Sequence, residues 1–306
     1  IHDNAKDPRH FAQAFRALLD PHIEETEGPL PVRREIRLRR PEVLEVHEVL
    51  ALADGESRTS IQASLGDAEI GAGVRLGELH IRGAARIGSS ARLRGLACDG
   101  ELELGSGSSI DRWVDAEGDA FIGSDCDLGV SASSAGVLRL GPGCVFQRLW
   151  GAPISTADFA EPGTLGSEPL PVEHPSLEDS VVWGRRWMSL PVGTLLQRDL
   201  VIHGDLHIAR DCVIEGSIKA HGSIFMAEGV KVGGSVISRR RIHLSGGTEI
   251  EGNVFAERDL FIGPNTRIGR YGHHKSAYSS GVVTLSKGVL VFGWLFAERG
   301  GKVARG

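Results

Sequence analysis

The chain has 306 residues, a formal net charge of −6 and 41% hydrophobic residues, a composition typical of a globular protein and not of a general nucleic-acid binder. No run of about 18 apolar residues occurs, so no membrane-spanning helix is predicted. The 41 glycines and the aromatic content of only 6% favour a fold with many corners and a narrow aliphatic core. The four cysteines lack the CxxC spacing of zinc and redox sites, and we expect them to fill space in that core.

Residues 1–60 are predicted to form a short helix and a basic arm. Apolar residues at helical spacing, among them Phe11, Phe15 and Leu18, place the helix within residues 1–28. We interpret it as a cap, an arm or a tether beside a membrane. The arm that follows is predicted to be either a solvated face or a contact for acidic lipids or a partner, through five arginines: Arg33, Arg34, Arg37, Arg39 and Arg40.

A first β-solenoid is predicted over residues 61–150. Its markers are aliphatic residues followed by glycine: Ile70, Ile87, Leu104, Ile122 and Leu140. Successive markers are separated by 17, 17, 18 and 18 residues. A nearly constant step of this kind is typical of stacked solenoid turns.

Residues 151–195 interrupt the repeat and are predicted to be a linker and capping segment. Their first 30 residues are rich in proline, serine and acidic residues, and their apolar residues follow neither helical spacing nor the spacing of the solenoid. Trp183, Trp187 and Met188 follow, and we expect this cluster to pack against the exposed end of one solenoid or at the junction between two.

A second solenoid is predicted over residues 196–306. One row of inward positions recurs every 18 residues, at Ile208, Met226, Leu244 and Ile262. Inward residues also recur every six residues, so each turn contains three short strands and three corners. Gly216, Gly234 and Gly252 fall at corners that need a positive φ or a close backbone approach. The predicted fold is therefore an all-β, triangular β-helix in two blocks, with a short N-terminal helix.

Apolar side chains on the outside of this second solenoid predict a surface for self-association. The inward phase of the last turn implies that four large apolar residues point outward: Leu290, Phe292, Trp294 and Phe296. A weaker outward row on one face adds Ile237 and Phe255. Such residues need a cover, which is either the N-terminal helix, the tryptophan segment or another subunit. A basic corner, Arg239, Arg240 and Arg241, is either solvated or a contact for an acidic partner or lipid.

One inserted loop, residues 270–281, is the only candidate for catalysis. The patterns Thr266-x-Ile268 and Thr248-x-Ile250 resemble hexapeptide-repeat acyltransferases, which implies a general base at His273 or His274. No acidic residue adjoins these histidines to orient an imidazole, which favours a solvated loop. We therefore predict a protein that is not an enzyme, and we assign no catalytic, cofactor-binding or metal-binding residue.

Residues 200–297 carry repeated variants of one motif, IHGDLHI, IEGSIKA, VGGSVIS, IEGNVFA and VFGWLFA. In these motifs the chain resembles the bactofilins, polymer-forming bacterial cytoskeletal proteins. The resemblance implies a non-catalytic scaffold that associates with itself or with cell-envelope proteins, in the cytoplasm at the inner face of the bacterial membrane, without nucleotide or nucleic acid. The alternatives are the acyltransferase-like enzyme and a module that binds polysaccharide or protein along its flat faces.

Overall fold

The computed structural model describes residues 9–24, 34–37, 43–156, 181–184 and 187–305, which are almost entirely β-structure with one helix. Internal contacts divide the chain into two compact units, unit 1 (Ile1–Gly151) and unit 2 (Ala152–Gly306). In each unit short parallel strands stack turn upon turn. The predicted all-β solenoid in two blocks is therefore confirmed.

The first elements along the chain are α1 (His10–Glu24), β1 (Arg34–Arg37), β2 (Val43–His47), β3 (Leu50–Leu52), β4 (Ser57–Arg58), β5 (Ile61–Ser64), β6 (Ala68–Ile70), β7 (Arg75–Ile81), β8 (Ala85–Ile87), β9 (Arg92–Cys98), β10 (Leu102–Leu104), β11 (Ser109–Ala116), β12 (Ala120–Ile122), β13 (Ser131–Ser134), β14 (Leu138–Leu140) and β15 (Val145–Ser155). β2 already pairs in parallel with β5, so the solenoid begins earlier than the predicted residue 61. The aliphatic-glycine marker is absent from this first turn, which is why the sequence did not reveal it.

The remaining strands are β16 (Val181–Gly184), β17 (Trp187–Leu190), β18 (Leu195–Leu196), β19 (Asp199–Ile202), β20 (Asp205–Ile208), β21 (Val213–Ile214), β22 (Ile218–Ala220), β23 (Ile224–Met226), β24 (Lys231–Val232), β25 (Val236–Ser238), β26 (Ile242–Leu244), β27 (Glu249–Ile250), β28 (Val254–Ala256), β29 (Leu260–Ile262), β30 (Arg267–Ile268), β31 (Lys275–Ser279), β32 (Val283–Leu285) and β33 (Leu290–Val303). Each strand from β16 to β30 pairs in parallel with the strand three places further on. One turn of unit 2 thus has three strands and three faces, as the 18-residue period predicts.

The core of each unit is a column of small and aliphatic side chains. Leu200, Ile218 and Val236 lie in register on successive turns and are fully buried. The cysteines are free and buried, as the sequence predicts, and burial raises the pKa of the Cys98 thiol to about 11. Because single strands of two to four residues are not stable alone, each turn is held by burial against its neighbours.

The corners hold the turns in register through glycine and short polar side chains. A Cβ atom at Gly252 would lie 2.4 Å from the carbonyl carbon of Gly234, so close backbone approach, and not a positive φ, requires glycine here. At the neighbouring corner an Asp205 carboxylate oxygen accepts a hydrogen bond of 2.7 Å from the backbone N–H of Ser223 on the next turn. Backbone N–H groups that leave the strand ladders are thereby satisfied.

Helix α1 packs on the outer face of unit 1. Leu19 and Ile23 lie against Leu44 and Val46 in one apolar cluster. Phe15 contacts the Trp113 ring at a centroid distance of 5.2 Å. The predicted helix is confirmed, and its apolar stripe is buried on the strands of its own unit.

A buried ion network fixes α1 on this face. Asp115, whose side chain is 1% exposed, accepts hydrogen bonds from Arg9 and Arg16 of the helix. Arg16 also donates to Asp99 at 2.7 Å, and Arg9 donates to Glu117. No sequence pattern indicated this network, because Asp115 lies in β11 and Asp99 and Glu117 directly follow β9 and β11, all far from α1 in sequence.

Acidification from pH 7 to about pH 3 is expected to weaken the docking of α1. Although burial opposes ionisation, hydrogen bonds from His80 and Arg16 lower the pKa of Asp99, and the hydrogen bond from Arg9 lowers that of Glu117. A carboxyl group with a lowered folded pKa stabilises the fold above its unfolded value, about 4, and this stabilisation is lost as the pH falls through the folded pKa. Amide hydrogen-exchange protection factors of α1 should fall before those of β9; equal protection in both elements down to pH 3 would contradict the expectation.

Candidate assembly surfaces

The last turn of unit 2 is less exposed than the sequence predicts. Of the four residues predicted to point outward and to need a cover, Phe292 is 5% exposed, and Leu290, Trp294 and Phe296 are half-buried. Next to Gly293, whose φ is +124°, residues 291–293 are all buried, so burial does not alternate along this part of β33. The role of these four residues in self-association stays a prediction.

The chain itself occupies part of the edge of this last turn. The Thr156 hydroxyl donates to the carbonyl oxygen of Ser286 at 2.7 Å and accepts from the N–H of Val289 at 2.9 Å. The Thr156 N–H also donates to the Val289 carbonyl oxygen at 3.0 Å. Backbone groups at residues 286–289 are therefore not available to another copy.

Residues 187–196 contain β17 and β18, two of the three strands in the first turn of unit 2, and one edge of each has no partner among the described residues. In the part of the chain that the structure describes, β17 pairs only with β20, and β18 pairs only with β21. We call residues 187–196 the open turn.

Large apolar side chains are exposed on the open turn. Trp187 is 69% exposed, Leu195 is 60% exposed and Val192 is 59% exposed. Trp187 was expected to pack against a solenoid end, and this expectation is wrong, because Trp187 is an outward residue of β17 opposite Asp205. Val192 and Leu195 were missed because they were assigned to the linker. The signal was present, since Leu190 and Leu196 continue the six-residue spacing of the inward row.

One face of unit 2 carries an outward apolar row, as the sequence predicts for Ile237 and Phe255, each 37% exposed. On the next turns the row continues with Tyr278 and Phe296. The Phe255 and Tyr278 rings stack at 4.9 Å, and the Tyr278 and Phe296 centroids are 5.3 Å apart. We call these four residues the aromatic stripe.

The predicted basic contacts separate into two groups. Arg239, Arg240 and Arg241 are all exposed at one corner of unit 2, and Arg241 pairs with Asp259 at 3.3 Å. In the N-terminal arm, Arg34 and Arg37 are the first and last residues of β1, which pairs antiparallel with β2. Arg33, Arg39 and Arg40 lie outside the described residues. Contact of either group with lipid or a partner stays a prediction.

The loop of the acyltransferase alternative exposes both of its histidines, His273 and His274, to solvent.

Elsewhere in unit 2, the Phe225 ring lies between the rings of His207 and His243, at centroid distances of 4.8 Å and 6.4 Å. Among the described residues there is no group of three or more His, Cys, Asp or Glu side chains arranged to hold a metal ion.

Comparisons with protein-family models, characterised proteins and solved structures find no significant match to this chain. The resemblance to bactofilins therefore stays a prediction from the repeat motifs. Within the described ranges, no helix is long and apolar enough to cross a membrane.

Proposed function

We propose that the chain is a non-catalytic structural scaffold that associates with itself through the open turn of unit 2. The observation that carries this proposal is the combination, on one surface, of strand edges that have no pairing partner among the described residues and the exposed side chains of Trp187, Val192 and Leu195. Strand edges of this kind bind other strands, and exposed apolar groups add a hydrophobic driving force.

A second copy of the chain fits this surface. The open turns of two copies have strands of the same length, so the strand edges of one copy can pair with those of the other at the usual strand spacing, roughly 4.8 Å. A contact that uses the same surface on both copies has two-fold symmetry, which is the commonest arrangement in homo-oligomers.

The corresponding turn of unit 1 is less suited to association. Its strand β2 is already paired with β1, and its inward positions hold a polar network. There the His47 Nε2 atom lies 2.9 Å from the Gln62 side-chain oxygen, and Ser60 donates to Glu45 at 2.8 Å. A polar, partly covered end gains little from burial, so the open turn of unit 2 is the preferred contact.

The resemblance to bactofilins supports a proposal for the location and the partners of this scaffold in the cell. Such a scaffold lies in the cytoplasm at the inner face of a bacterial membrane and arranges envelope-associated proteins. The arginines of the N-terminal arm and the exposed corner Arg239–Arg241 supply positive charge for acidic headgroups or an acidic partner. Nucleic acid is not proposed as a partner, in view of the net charge of −6.

Replacing Leu195 by glutamate is expected to weaken self-association at least tenfold, because each copy would bury an unpaired carboxylate at the contact. Sedimentation velocity over a concentration series compares the weight-average mass of this variant with that of the wild type. Trp187→Glu should act in the same way.

The matched control is Val130→Glu, which places the same charge on an exposed valine of unit 1. The control is expected to associate as the wild type does, and circular dichroism should show the same β-content in all variants. The proposal is wrong if the wild type stays monomeric over the whole series, or if Leu195→Glu associates as strongly as the wild type.

A further inference from the structure

The aromatic stripe has a self-complementary apolar pattern over four successive turns of unit 2. Its register is Ile237, Phe255, Tyr278 and Phe296, one residue per turn. At roughly 4.8 Å per turn, the stripe is about 14 Å long. An apolar row of this length on an outer face is a surface that gains free energy by being covered.

A row of polar and charged side chains runs beside the stripe. Its members come two residues after each stripe residue, just beyond the strand in three of the four turns: Arg239, Glu257, Ser280 and Glu298. Two hydrogen bonds place one end of this row next to the stripe, since the Tyr278 hydroxyl donates to Glu298 and accepts from Ser280 at 3.2 Å. Arg239 and Glu257 follow the stripe residues of the two preceding turns at the same spacing, and the strands of these turns are in register.

The charges of this flanking row have opposite signs at its two ends. Arg239 is exposed at one end, and Glu298 is exposed at the other. In the described part of the chain Arg239 makes no ion pair, while its neighbour Arg241 does. A charged row of this kind attracts a copy of itself that runs in the opposite direction.

From this pattern we infer that the aromatic stripe binds the stripe of a second copy, antiparallel and side by side. A two-fold axis along the strand direction, between the Phe255 and Tyr278 turns, keeps the flanking rows on the same side and reverses their order. Ile237 then lies opposite the second copy's Phe296, and Arg239 lies opposite its Glu298. Phe255 lies opposite Tyr278, and Glu257 opposite Ser280. Every apolar residue therefore meets an apolar residue, and each outer charge meets its opposite.

This contact deepens the proposed function, and its role in assembly depends on that function. The open turn alone gives a closed pair of copies, because both copies use the same surface. A second two-fold contact on another face joins such pairs to one another. The combination produces either a closed ring with an even number of copies or an assembly of unlimited length. The short stripe alone is a weak contact, which strengthens when copies are already joined at their open turns.

The test uses two charge reversals in the full chain, Arg239→Glu and Glu298→Arg, each combined with Leu195→Glu so that only the lateral contact is measured. In each variant alone, like charges face each other across the two-fold axis. In an equimolar mixture, a pair formed from one copy of each variant has opposite charges at both ends. Sedimentation equilibrium measures the association of each variant, of the mixture and of the Leu195→Glu parent.

Each charge reversal alone is expected to associate about tenfold more weakly than the parent. The mixture should return to within about threefold of the parent, and added salt should reduce this recovery. Because both sites are exposed, no loss of fold is expected. As a second measurement, Phe255→Glu should abolish the lateral contact in the parent and in the mixture.

The inference is overturned if the mixture associates no more strongly than the separate variants. It is also overturned if the parent is monomeric at the highest concentration, which would leave the stripe to a different partner. Failure of the open-turn contact gives a different result, since Leu195→Glu alone would then leave the association of the wild-type chain unchanged while the mixing experiment still showed recovery.

Discussion

Replacing Gly252 by alanine is expected to destabilise unit 2 by about 3 kcal/mol or more. The added Cβ atom would lie 2.4 Å from both the carbonyl carbon and the carbonyl oxygen of Gly234, on the turn before. These are backbone atoms held by the stacked strands on either side, so they cannot move without disturbing the ladder of each neighbouring turn. Thermal unfolding should show the melting temperature of unit 2 lowered by roughly 6–12 °C.

Gly246→Ala is the matched control within the same unit. At this position the nearest atom to an added Cβ is the carbonyl oxygen of Pro264 at 3.3 Å, and φ is not in the left-handed region. We expect a change below about 1 kcal/mol, because a shift of a few tenths of an ångström accommodates the methyl group. Equal melting temperatures for the two variants would show that close approach at Gly252 does not limit the stacking.

Replacing Asp115 by alanine is expected to weaken the docking of α1 by about 3 kcal/mol. The change removes the carboxylate that accepts from both Arg9 and Arg16, and it leaves the two guanidinium groups half-buried with fewer acceptors. Ser133, which donates to the same carboxylate, also loses its partner. Limited proteolysis should cut at or near α1 much faster than in the wild type, while the strands of unit 1 stay protected.

Glu103→Ala serves as the control for this change, because Glu103 forms an exposed ion pair with Arg86 at 2.8 Å in the same unit. Exposed pairs contribute between about 0 and 1 kcal/mol, so proteolysis of the control should resemble that of the wild type. Asp115→Asn keeps an acceptor oxygen and is expected to lie between the two. If Asp115→Ala and Glu103→Ala are cut at the same rate, the apolar contacts of Leu19 and Ile23 alone hold the helix.

The fold was predictable because the repeat is a local property of the chain. Ile208 and Met226 occupy the same place on successive turns, so a constant step in sequence gives a constant step in space. The sequence also identified the corner glycines as positions where a residue with a side chain is not tolerated. The sequence allowed either a positive φ or close approach at Gly252, and only the distance to the turn before it distinguished the two.

The exposed surfaces were less predictable. The repeat predicts whether a side chain points inward or outward, but its exposure also depends on which other residues pack against it. Outward directions at Ile237 and Phe255 followed from alternation along straight strands, and the structure confirms them. At Phe292 alternation did not predict exposure, since residues 291–293 are all buried beside Gly293 with its positive φ. The open turn was missed for another reason. Trp187 interrupts an aliphatic pattern, so the turn that contains it was read as a linker although its strands are in register with the next turn.

The constant register of unit 2 makes its length adjustable in whole turns. Removing residues 213–230 would join Cys212 to Lys231, and each remaining strand would meet a neighbour of the same kind, because β21 and β24 lie in register. Insertions or deletions of one period therefore change the separation between the open turn and the aromatic stripe in steps of roughly 4.8 Å without changing either surface. The number of turns between the two contact surfaces can therefore change during evolution while the surfaces themselves stay the same.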